Sequence, residues 1–153
     1  MGWAEYYRRR DALDAVLRAA AEDPSAAPTF DRELFATEDE LLLALHYRWM
    51  RQLTGRLGVA LADGEHDRVE TVVRTWRALA AEQPVLRAVL DAHLTSAEAV
   101  EREQRTLALT AGLADLSEPS ADIARVGAAF ANLIRTRPAV VAPGRRRGLA
   151  KSA

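Results

Sequence analysis

The chain has 153 residues, a net charge of −1 and 49% hydrophobic residues, the size and composition of one domain with a core of its own. It has no cysteine, which excludes disulfides, thiolate metal sites and cysteine nucleophiles. No apolar run reaches the roughly 18 residues of a membrane span, and the N-terminus lacks the apolar stretch of a signal peptide, so the chain reads as cytoplasmic and without a membrane partner.

Lys151 is the only lysine beside 20 arginines, and with the abundant alanine this points to a GC-rich, bacterial genome. The small net charge hides an asymmetry. From Arg135 to Ala153 there are six basic residues and no acid, which leaves −7 on the part before them.

The first helix is expected from Trp3 to Glu22, with Trp3, Tyr6, Leu13, Val16, Leu17 and Ala20 as its buried stripe. Asp23-Pro24 stops it, because a residue before proline is pushed out of the α region. A turn over Asp31 to Ala36 is placed to put Phe30, Leu34 and Phe35 on the core. Thr37-Glu38-Asp39-Glu40 then forms a capping box and opens a central helix to Asp63-Gly64. At about 100° per residue, Leu42, His46, Trp49, Leu53, Leu57 and Ala60 fall on its apolar face. A helix of this length and apolarity predicts a central strut that the others cover.

The third helix follows a tight connection and carries Val69, Val72, Val73, Trp76, Leu79 and Ala80 on one side. Gln83-Pro84 ends it and starts the next, since proline suits the first helical position. From Pro84 to Leu116 the spacing of Leu86, Leu90, His93, Ala97, Val100, Leu107 and Ala111 predicts one long helix with a bend. The alternative is a break at Thr95-Ser96. Arg102, Glu103 and Arg105 within it point to a solvated stretch or a wet interface. Ser120 is expected to cap a last helix with Ile123, Val126, Phe130, Leu133 and Ile134 as its stripe.

The architecture is therefore an all-α antiparallel bundle of five to six helices over residues 1–136, followed by a disordered basic tail over residues 137–153. A homodimer through the long fourth helix and the last one is the expected assembly. Gly55 and Gly58, on the less apolar side of the central helix, mark a close approach or a kink.

The segment Leu34-Phe35-Ala36-Thr37-Glu38-Asp39-Glu40-Leu41-Leu42-Leu43-Ala44 resembles the stretch after the recognition helix in TetR-type regulators. The stretch from Trp76 to Leu90, with a proline before an apolar helix, is similar to the middle of the same ligand-binding domain. Together the two cover about half the chain. Only thirteen residues, 22 to 34, separate Ala21 from Phe35, too few for a helix-turn-helix. The resemblance thus implies a dimerising, ligand-binding helical body without its DNA reader.

For chemistry, no Gly-rich phosphate loop, nucleophile elbow or paired acid–base spacing stands out. No glutamate lies three residues before His46, His66 or His93, so neither a metal nor a cofactor is expected. His46 and His93 read as core residues that meet if their helices are neighbours. Trp3, Trp49 and Trp76 read as packing. His46, Trp49, Trp76 and His93 together are the candidate ligand pocket. Arg8-Arg9-Arg10 reads as a solvated face, whereas Arg145, Arg146, Arg147 and Lys151 are the candidate contact for nucleic acid or a protein partner. The function expected first is a non-catalytic regulatory or adaptor module working through protein–protein contacts. A small-molecule sensor is the alternative, and nucleic-acid association through the tail a third.

Overall fold

The structure, a computed structural model, describes residues 2–64 and 67–136. His66 and the tail, with Arg145, Arg146, Arg147 and Lys151, lie outside the described residues. The described chain is all-α, with helices α1 (Trp3–Ala20), α2 (Glu38–Ala62), α3 (Arg68–Glu82), α4 (Pro84–His93), α5 (Ala97–Thr110) and α6 (Ser120–Thr136).

The central helix is where the sequence places it. Thr37 caps α2 by accepting the Glu40 N–H at 3.1 Å. Glu40 reaches back one residue further than a standard capping box, to the Ala36 N–H at 2.9 Å. The helix ends at Asp63, followed by Gly64 at φ +71°, a conformation that costs glycine nothing. Leu41, Leu42, Leu45, Trp49 and Leu53 are fully buried, and α2 packs against α1, α3, α4 and α5. Burying one such side chain contributes about 1.5–3 kcal/mol, so this helix carries much of the core. Phe35 reaches the core from a single turn, closed by its own N–H on Asp31 O at 3.0 Å.

At the start of α1 the sequence pattern misleads. Leu13 and Val16 are buried, but Trp3 is 77% exposed, and Tyr6 and Tyr7 are exposed beside it. At this exposed end of α1 the three rings pack on one another with centroids 5.5 to 6.4 Å apart.

The long fourth helix is two helices. α4 ends at His93, residues 94–96 are extended, and α5 begins under a new cap in which the Ser96 hydroxyl accepts the Ala99 N–H at 3.2 Å. After the break Ala97 and Val100 of the expected stripe are exposed while Ala99 and Glu103 are buried, and Leu86, Leu90, Leu107 and Ala111 of that stripe are buried as expected. α5 stops at Thr110 rather than Leu116, because Gly112 adopts φ +73° and the Leu113 N–H closes back on Ala108 O at 3.0 Å. Arg68 of α3 secures that end by donating to Thr110 O at 2.8 Å.

α5 and α6 pack closely as a hairpin. The contact depends on Gly127: a Cβ built there would stand 2.6 Å from Gln104 O. Ser120 is the first residue of α6 rather than its cap, and its hydroxyl is held by Arg105. A Cβ added at Gly55 or Gly58 would meet nothing within 4 Å, so no helix of the described chain approaches them.

Candidate functional site

Near the centre of the bundle a charged group interrupts the apolar packing. Glu103 of α5 is 6% exposed and lies between Ala99 and Leu107, one helical turn away on either side. Three donors from three other helices converge on its carboxylate. The Trp76 Nε1–H of α3 donates to Oε2 at 3.0 Å, His46 Nε2 of α2 lies 3.2 Å from Oε1, and Arg87 Nη1 of α4 lies 3.3 and 3.4 Å from the two oxygens.

These partners account for the charge state. Burial by itself raises the Glu103 pKa, but the His46 hydrogen bond, the Arg87 charge and the Trp76 hydrogen bond outweigh it and hold the carboxyl at about 2. The group is ionised at neutral pH and can only accept. His46 therefore donates through Nε2–H.

Arg87 is buried by the same arrangement. Its Nε and Nη2 bond Asp91 at 3.0 and 2.8 Å, one turn along α4, and Asp91 also receives Arg135 of α6 at 3.0 Å. The guanidinium lies 4.6 Å above the Trp49 ring and 5.7 Å from that of Trp76, and the two indoles meet edge to face at 5.7 Å. Trp49 Nε1 is the one buried side-chain nitrogen or oxygen among the described residues that has no hydrogen-bond partner.

A cavity lies at each end of this chain of contacts. One, of about 500 Å³, opens between α2 and α5 and is lined by Leu43, His46, Tyr47, Met50, Arg51, Thr54, Ser96, Glu98, Ala99 and Arg102. The other, of about 310 Å³, is bounded by α4, α5 and α6, and Arg87, Asp91, Glu103 and Arg135 are on its wall. The hydrogen-bond path from His46 through Glu103 to Arg87 thus links two openings on different sides of the bundle. Ligand pockets typically measure about 300–1,000 Å³.

Of the candidate pocket residues, the structure brings His46 and Trp76 onto Glu103 and packs Trp49 against Arg87 and Trp76. His93 is elsewhere. Its Nε2 meets Pro24 O at 3.0 Å, where it ties the end of α4 to the loop after α1. Since α4 ends at His93, the side chain meets that loop and not the face of α2.

Glu103 and Arg87 escaped sequence reasoning. Read from its spacing as part of a solvated stretch or a wet interface, Glu103 is instead the most buried carboxylate described. The available signal was its position four residues from both Ala99 and Leu107, an acid within an apolar stripe. Arg87 and Asp91 carried the weaker signal of an ion pair one turn apart.

No family model, curated protein or solved structure matches the chain.

Proposed function

We propose that this chain is a regulatory module that binds a small molecule in the α2–α5 cavity and registers its presence through the His46–Glu103–Arg87 path. One observation carries the reading: His46, which lines the cavity, hydrogen-bonds a buried ionised carboxylate whose other partners come from α3 and α4. A buried ion pair is a poor device for stability, since apolar residues of similar volume often serve as well or better. It is a good device for coupling, because moving one partner leaves the other charge buried and unmatched. A ligand that shifts His46 therefore acts on four helices at once. The resemblance to TetR-type ligand domains implies the same kind of body, an interhelical pocket without a DNA reader.

The test is native mass spectrometry of untagged protein taken from its own host, joined to a thermal-shift screen of diverse small molecules. A co-purifying small molecule, or a stabilising hit that a His46→Phe substitution weakens, supports the reading. A bare chain together with an unresponsive screen overturns it.

A second reading, contact with a protein partner, is favoured by a different observation. Trp3, Tyr6 and Tyr7 form an exposed aromatic cluster in a chain with nine aromatic residues in all. Tryptophan and tyrosine so placed are enriched where proteins bind one another. Cross-linking in cells, with and without Trp3→Ser, checks this reading, and an unchanged pattern removes it.

A further inference from the structure

The chemistry of the α2–α5 cavity allows its ligand to be narrowed. Its walls are of two kinds. Leu43, Met50 and Ala99 supply an apolar surface, and Arg51 and Arg102 stand among the lining residues with the hydroxyls of Thr54 and Ser96. Among the described residues Arg51 makes no ion pair; its guanidinium lies 6.0 Å over the Tyr47 ring. Among the described residues the side chain of Arg102 pairs only with Glu98, at 3.4 Å, and both side chains are largely exposed, so that contact is weak and readily exchanged. With Glu98 counted, the lining carries a net positive charge before His46 is considered. It does so within the part of the chain that carries −7. A net positive cavity in an acidic body favours an anion.

Two further features act in the same direction. Ser96 and Ala99 belong to the N-terminal cap and first turn of α5, where the helix presents partial positive charge. Arg87 pairs with Glu103 at 3.3 Å, so the carboxylate deepest in this region is already neutralised and repels an incoming acid less.

We infer that the α2–α5 cavity takes a small organic carboxylate, its acid group at Arg51 and Arg102 and its apolar body against Leu43, Met50 and Ala99. The inference rests on the small-molecule reading above and adds the class of ligand. Neutral apolar molecules of the same shape fill the walls equally well but offer the arginines no charge to pair with.

The test compares 2-naphthoate with its neutral analogue 2-naphthamide, each titrated into the full chain by calorimetry and by amide chemical shifts. Naphthoate is expected to bind more tightly, to shift resonances around Arg51 and Arg102, and to weaken with added salt. Arg51→Met and Arg102→Met are each expected to weaken naphthoate about fivefold and to leave naphthamide unchanged. Both arginines are exposed, so these variants retain the fold. Equal binding of the two probes with no effect of either substitution overturns the carboxylate class while leaving the pocket in place. Failure of both probes to bind also overturns it, and the co-purification experiment then decides separately whether the cavity holds a ligand of another kind.

Discussion

His46 and Glu103 are 57 residues apart in the chain and 3.2 Å apart in the folded protein. No local rule brings them together. α2 supplies the histidine from its apolar face, α5 supplies the acid from its own, and the two meet because each buries that face. The contact ties the charge at the centre of the bundle to a cavity at its side.

The charged centre should be costly to break and cheap to replace whole. Glu103→Leu leaves Arg87 buried without its carboxylate and is expected to cost about 3–5 kcal/mol in urea unfolding. Adding Arg87→Met removes the stranded charge and should recover most of that loss. A double variant as unstable as the single one would mean that the pair is not an electrostatic unit.

Acid should reveal the same group. The folded-state pKa of Glu103, about 2, lies below its ordinary value of 4.5, so the unfolded chain binds the extra proton first. The stabilisation is complete above about pH 4.5 and is lost as the pH falls towards 2, by an amount on the order of 3 kcal/mol. Glu103→Gln should lack this component. Unfolding midpoints of the two proteins, followed from pH 6 to pH 2 at fixed salt, should converge on the acid side, and parallel curves would refute the assignment.

The two core tryptophans should answer differently to the same change. Trp76 donates to Glu103, so Trp76→Phe removes one of the hydrogen bonds that keep the carboxylate ionised, at about 1.5–3 kcal/mol plus lost packing. Trp49→Phe removes an N–H that has no partner, which offsets part of its packing loss. Thermal melts of both variants should place Trp76→Phe lower.

Glycines on two faces should respond with opposite sign. Gly127→Ala forces a methyl against the Gln104 backbone at 2.6 Å, pushing α5 from α6 at about 1–3 kcal/mol. Gly55→Ala and Gly58→Ala meet nothing in the described chain and should each stabilise α2, by about 0.5–1 kcal/mol. Sedimentation at several concentrations gives a second readout: if copies of the chain pack through this face, the same two substitutions weaken association instead.

The N-terminal aromatics should be dispensable for folding. Trp3→Ser is expected to change stability by no more than about 0.5 kcal/mol, as for an exposed residue away from structural features. It should also delete the solvent-exposed part of the tryptophan emission, leaving the buried Trp49 and Trp76 resistant to iodide quenching. A large loss of stability would show that this face is covered in solution.

The sequence alone determined the class of fold and the position of its central helix. Capping chemistry at Thr37, the glycine at 64 and the apolar period between them are local properties, and they act before any tertiary contact forms. The same holds for proline at the start of α4. Burial is a different matter. Periodicity shows which residues share a face but not whether another helix covers it, so Trp3 and Val100 look like core and stand in solvent. The break between α4 and α5 was one of two local readings, and it was settled by where Ala99, Glu103 and Leu107 find partners. Only the tertiary structure placed Glu103, because a carboxylate enters a core only where donors from distant segments converge on it. His46, Trp76 and Arg87 come from three different helices, and no short-range pattern records their meeting.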